Sequence, residues 1–175
     1  MSKKNKFYWI EGTTKKEIEG LLNNPNFQLL RPQQNRRILV ALHSILLIAL
    51  ALGSQYQEFK SWFGQDSWLP LVFMIIALLL VITSFSLLRV SVRGIAEAPD
   101  ELLDERQRSL RNSNYRYSYL ILGYVVVGFM FLLAVGPEAR PFQEDFGDAS
   151  FAYVALLFTM ASLPSMVLAW REKDI

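Results

Sequence analysis

Cysteine is absent from the 175 residues, histidine occurs once, and four long stretches contain no Asp, Glu, Lys or Arg at all. Each lack excludes a chemistry. Without cysteine there are no disulfides, no thiol nucleophile and no thiolate metal site. One histidine, His43, does not supply the three or four ligands of a zinc site, and haem held between two histidines would need a second copy of the chain. No Gly-rich phosphate loop, nucleophile elbow or His-Glu zinc motif occurs. The expectation is a protein that is not an enzyme, with no catalytic residues, no cofactor and no metal site.

The uncharged stretches are the main feature. Apolar runs cover residues 38–52, 68–88, 117–135 and 151–170, and 52% of the chain is hydrophobic. A helix needs about 20 residues to cross a hydrocarbon core of ~30 Å, because each residue advances it by only ~1.5 Å. The last three runs meet that length. The first is short, so its helix is expected to take in residues 35–37 and extend towards Tyr56. A water-soluble helix keeps a polar edge, and these runs have none. The pattern predicts an all-α fold, an integral membrane bundle of four transmembrane helices spanning about 37–56, 68–89, 117–136 and 151–170. Residues 1–36 form a cytoplasmic segment and residues 37–175 the membrane domain.

Charge orients the bundle. Of 18 Lys and Arg residues, only Lys60 and Arg140 fall in the first and third connections; the rest precede the first run, follow the second, or close the chain. Basic residues are retained on the cytoplasmic side during insertion. Both termini are therefore expected inside, with Glu138, Glu144, Asp145 and Asp148 in an acidic outer loop. Aromatic residues fit the same frame: Trp62, Phe63 and Trp68 towards the outer interface, Tyr115, Tyr117, Tyr119 and Trp170 towards the inner one. Lys3, Lys4 and Lys6 precede a mixed polar stretch rather than an apolar core, so no cleavable signal peptide is expected and the first span directs insertion.

Two soluble pieces carry readable signals. Thr14-Lys15-Lys16-Glu17 forms a capping box, predicting a short amphipathic helix with Ile18, Leu21 and Leu22 on one side. It reads as an interfacial foot on lipid headgroups, or as a docking element together with the aromatic residues around Trp9. In the second connection, Arg93-Gly94 reads as a helix stop and Pro99-Asp100-Glu101 as a new start. The third helix is then expected to begin near Asp100, extend into the cytoplasm, and carry Leu103, Leu110 and Tyr117 as a seven-residue apolar seam. Asp104 and Glu105 are expected to pair with Arg108.

Leu103-Asp104-Glu105-Arg106-Gln107, followed by Leu110-Arg111 and Tyr115-Arg116, resembles a juxtamembrane motif of small multi-pass membrane proteins of actinobacteria, a largely uncharacterised set. The resemblance covers residues 99–119. It implies a bacterial origin and a plasma-membrane address, and brings no activity with it.

Candidate functional residues follow. His43 is an ionisable group within a span and so a possible intramembrane polar site; the simpler reading is a neutral imidazole hydrogen-bonded to a neighbouring helix or to headgroups. Trp9, Asp104, Glu105, Arg106, Arg108, Arg111 and Arg116 form a possible interaction surface. Five acids are interleaved with the arginines of that connection, which argues against nucleic acid and for anionic lipid headgroups. The spacing of the outer acids does not match a calcium loop. On the fourth helix, Ala155, Thr159, Ala161 and Ser165 permit close packing, and Pro164 is expected to kink the helix. The favoured function is an accessory, scaffold or regulatory subunit that contacts other membrane proteins or itself. The alternative is a small oligomeric transporter or channel.

Overall fold

The computed structural model describes residues 7–8, 13–23, 28–52, 68–135 and 146–173. Trp9, Trp62, Phe63, Glu138, Glu144 and Asp145 lie outside them, and Asp148 falls in the first turn of the last helix. Among the described residues, a short antiparallel pair, β1 (Phe7–Tyr8) with β2 (Thr13–Thr14), leads into five α-helices. These are α1 (Lys15–Asn23), α2 (Gln33–Leu52), α3 (Leu69–Ser91), α4 (Glu105–Val135) and α5 (Phe146–Arg171). Three are long and apolar enough to cross a membrane, over Gln33–Ala51, Leu69–Ser91 and Ala152–Arg171. The chain is thus an all-α protein with membrane-spanning capacity.

Local chemistry sets the helix ends. At α1, the Glu17 N–H donates to Thr14 Oγ1 at 3.3 Å and the Thr14 N–H to Glu17 Oε2 at 3.0 Å, so the capping box forms. At α2, Asn35 Nδ2 reaches the Leu29 carbonyl at 2.5 Å and ties the first turn to the 3₁₀ turn Gln28–Leu30. α3 begins with Pro70 near its first turn, where a missing N–H is harmless. Its end is a Schellman turn: Gly94 N–H donates to the Arg89 carbonyl at 2.8 Å and Arg93 N–H to the Val90 carbonyl at 3.0 Å. Both residues have positive φ, 54° at Arg93 and 65° at Gly94. Arg93-Gly94 therefore is a helix stop, with arginine rather than glycine in the first left-handed position.

The third long helix does not start at Asp100. Asp100–Leu102 is a single 3₁₀ turn, and α4 begins four residues beyond Glu101, at Glu105. Its cap is Asp104, whose Oδ1 accepts from the Gln107 N–H at 2.7 Å while Gln107 Oε1 accepts from the Asp104 N–H at 3.2 Å. The expected Leu103–Leu110–Tyr117 seam fails as a consequence. Leu103 precedes the helix, Tyr117 is exposed, and among the described side chains those that α4 buries are Asn114 and Ser118.

The chain divides into two compact units, the first made of Met1–Val40, Ser86–Ser118 and Pro164–Ile175, the second of Ala41–Phe85 and Tyr119–Leu163. Among the described residues, every lysine and arginine belongs to the first unit. Its core gathers Ile18 from α1, Val40 from α2, Leu88 from α3, Ile95 and Ala98 from the α3–α4 connection, and Leu168 from α5. Ile18 is fully buried, and Leu21 packs on Gly94. The reading of α1 as a foot on headgroups is therefore corrected: its apolar side lies on the chain's own connection.

The core of the second unit comes from three helices: Leu47 and Leu50 of α2, Met74 and Val81 of α3, and Ala155 of α5. Among the described residues, α4 contributes nothing to it. From Tyr119 to Gly128, every α4 residue except Leu122 is exposed. On α5, Ala155, Ser162, Ser165 and Ala169 are buried, whereas Ala161 faces outward, so the buried small-residue face takes in Ser165 but not Ala161. Pro164 sits inside α5.

Candidate functional site

The polar chemistry of the first unit starts from helix ends. An α-helix leaves its last four carbonyls without intrahelical donors, and these carry the negative end of the helix dipole. Donors from the first turns of α2 meet those of α5. Gln33 Nε2 donates to the Trp170 carbonyl at 3.2 Å and Arg37 Nε to the same oxygen at 3.2 Å. Arg36 Nη2 reaches the Glu172 carbonyl at 2.6 Å and the Lys173 carbonyl at 2.9 Å. Arg36 is wholly buried. Basic residues that the sequence offers as membrane-facing charge thus act here as the cap of α5.

The same logic organises the α3–α4 connection. Arg108, Arg111 and Tyr115 lie along one face of α4 and donate to backbone carbonyls of the segment that precedes it. Arg108 Nη2 donates to the Asp100 carbonyl at 2.7 Å and Tyr115 Oη to the Ala96 carbonyl at 2.7 Å. Arg111 holds the Ala98 carbonyl and the Asp100 carboxylate. Arg108 therefore binds backbone instead of pairing with Asp104 or Glu105. Of the surface suggested by sequence, Asp104 is a helix cap, Arg108 and Arg111 staple the connection, and Glu105, Arg106 and Arg116 are exposed. Trp9 lies outside the described residues.

Two carboxyls in this connection are perturbed in opposite directions. Burial pushes Glu97 above its ordinary 4.5, against the pull of Arg89, whose Nη2 is 2.5 Å from Glu97 Oε2. The hydrogen bond and charge of Arg111 hold Asp100 below its ordinary 3.8. The folded protein therefore binds the Glu97 proton more tightly than the unfolded chain does. That contribution to stability is complete below pH 4.5 and is lost as pH rises through the raised pKa. The Asp100 contribution is present above pH 3.8 and fades as pH falls. In Glu97→Gln, thermal unfolding in mild detergent should show a melting temperature that gains on the parent as pH rises above 4.5. A difference that stays flat with pH would mean that Glu97 titrates as an ordinary surface acid.

His43 occupies the second unit. It is fully buried, its Nδ1 lies 2.7 Å from Ser84 Oγ, and the Phe85 ring is 6.5 Å away, tilted by 30°. Ser84 Oγ also lies 3.0 Å from the Val81 carbonyl. With the single hydroxyl proton given to Val81, Ser84 accepts from an Nδ1–H imidazole, and His43 Nε2 is left as a buried acceptor without a protein partner among the described residues. The pair joins α2 to α3. Ser84→Ala should destabilise the protein by about 0.6–1.7 kcal/mol, the range of interhelical hydrogen bonds in membranes. Denaturant titration in detergent checks it; no change would mean that His43 finds another partner.

Sequence reasoning pointed to the right elements but missed Arg36, Gln33, Asn114 and Tyr115. Asn114 is buried, donating to Glu172 Oε1 at 3.2 Å and accepting from Arg171 Nη1 at 3.0 Å. The spacing of Arg108, Arg111 and Tyr115, three and four residues apart, was the available signal for a shared face. Among the described residues, no group of three or more His, Cys, Asp and Glu is placed to hold a metal ion. No family model matches the chain, and neither does any curated protein or solved structure.

Proposed function

We propose that this is a four-span protein of the bacterial plasma membrane with both termini cytoplasmic. It serves as a non-enzymatic accessory or scaffold subunit for other membrane proteins. The observation that carries this reading is the exposure of α4 from Tyr119 to Gly128 on nearly every side, while α2, α3 and α5 enclose the core. A helix left open by its own chain is available to lipid and to helices of a partner. Gly123 and Gly128 point the same way: a Cβ added at either would meet nothing within 4 Å. Each glycine costs a helix about 1 kcal/mol relative to alanine, and no neighbour among the described residues requires it. Close approach by another helix would.

Several features support the membrane placement. α4 has 31 residues, about 46 Å at the helical rise, which is enough for a ~30 Å core and a cytoplasmic extension. Concentration of the described basic residues in the first unit accords with retention of that unit inside. The resemblance of residues 99–119 to actinobacterial membrane proteins supports the bacterial address.

The test combines topology with capture. A reporter fused after Ile175 should be inaccessible from outside intact cells. A photo-crosslinker at Val127 in native membrane should yield a discrete adduct with another membrane protein or a second copy, identified by mass spectrometry. Crosslinking to lipid alone, together with an isolated monomer after mild extraction, would overturn the subunit reading.

A further inference from the structure

Two guanidinium groups of the first unit lie over aromatic rings, and among the described residues each keeps N–H groups that no acceptor takes. Arg37 lies 5.2 Å from the centroid of the Trp170 ring, positioned there by its Nε bond to the Trp170 carbonyl. Arg171 lies 3.8 Å from the centroid of the Tyr117 ring, and its Nη1 donates to Asn114 Oδ1. Among the described residues neither guanidinium has a further partner, and all four side chains are exposed. Glu172, the nearest acid along the chain, is engaged with the Asn114 amide. Among the described residues, then, no carboxylate forms an ion pair with either arginine.

Ring stacking engages the face of a guanidinium and leaves its edge free. The edge is a planar fork that matches a phosphate with two parallel hydrogen bonds, and stacking limits the rotamer freedom that binding would otherwise remove. Tryptophan and tyrosine favour the depth at which headgroups lie. A soluble anion would meet the same fork, but it would gain nothing from the rings' apolar bodies.

We propose that Arg37 and Arg171, stacked on Trp170 and Tyr117, bind the phosphate headgroup of an anionic phospholipid. This rests on the placement of the first unit at the cytoplasmic face. The ligand is a phosphodiester carrying acyl chains, and each arginine over its ring is a headgroup contact.

Full-length protein in mild detergent, examined by native mass spectrometry, provides the test. Phosphatidylglycerol should be retained over phosphatidylcholine. Arg37→Gln with Arg171→Gln should weaken that retention by on the order of tenfold or more, and Arg106→Gln should leave it unchanged. Arg37→Lys with Arg171→Lys keeps the charge but not the planar fork, and should recover only part of the loss. Equal binding by the lysine pair would overturn the stacked-guanidinium site and leave a diffuse charge effect. Displacement of the lipid by millimolar glycerol phosphate would overturn the lipid as ligand in favour of a soluble phosphate. If the glutamine pair loses helicity, Trp170→Leu with Tyr117→Leu offers an independent variant: charge stays, stacking goes, and retention should fall. Unchanged retention there sinks the proposal. A C-terminal reporter found outside would refute the placement itself, a result separate from the loss of lipid binding with the reporter inside.

Discussion

Arg36→Met should loosen the C-terminal end of α5 and destabilise the protein by about 3 kcal/mol, since each buried polar group left without its partner costs about 1–3 kcal/mol. Methionine matches much of the arginine stem but offers no donor. The Glu172 and Lys173 carbonyls, now 2.6 and 2.9 Å from Arg36 Nη2, would lose a charge-assisted bond at the negative end of a helix dipole. Gln33 and Arg37 would still hold the Trp170 carbonyl, so the damage should be local before it is global. Arg36→Lys should recover only part, because a flexible ammonium is not held by a rigid plane at the point where Nη2 meets both carbonyls. The measurement is thermal unfolding in mild detergent, where a drop on the order of 5–10 °C is expected for a chain of this size. Hydrogen exchange should show earlier loss of protection over residues 165–173. Melting of Arg36→Met within a degree of the parent would mean that the buried guanidinium is not what closes α5.

Arg36 also shows where sequence reading stops. Long uncharged runs disclose helices because lipid or core must surround them, and α2, α3 and α5 were legible on that ground alone. Thr14 with Glu17, and Arg93 with Gly94, were legible because their partners are three to five residues away. The start of α4 was equally local, in Asp104 and Gln107, but Pro99-Asp100-Glu101 offered a competing signal five residues upstream. The chain settles the competition through contacts from beyond the cap, because Arg108, Arg111 and Tyr115 take the carbonyls of residues 96–103. Arginine is ambiguous in a linear reading. It registers as charge for a membrane surface, while the carbonyls that claim it follow the end of a helix more than a hundred residues away. The openness of α4 was beyond reach for a related reason. Its apolar composition resembles that of its neighbours, and only the positions of the other three helices reveal that residues 119–128 lie outside their core.

Gly94→Val should be the other severe change, with an expected cost of about 3 kcal/mol from backbone strain plus steric conflict. The backbone there has φ of 65°, a region that a β-branched residue enters only as an outlier. Space is short as well. A Cβ at this position would stand 3.0 Å from Leu21 Cδ1, 3.5 Å from Leu21 Cβ and 3.9 Å from Ile18 Cδ1. α1 rests on this glycine, so the conflict should be relieved by releasing α1, making residues 15–23 more susceptible to limited proteolysis. The two causes can be separated. Gly94→Asn tolerates positive φ but still fills the space, so it should release α1 with less strain. Gly94→Ala combined with Leu21→Ala removes the closest contact, and the pair should be less destabilising than the sum of its members, a coupling visible in a double-mutant cycle. Additive effects, or cleavage of residues 15–23 at the parent rate in Gly94→Val, would show that α1 is held by something other than its seat on the α3–α4 connection.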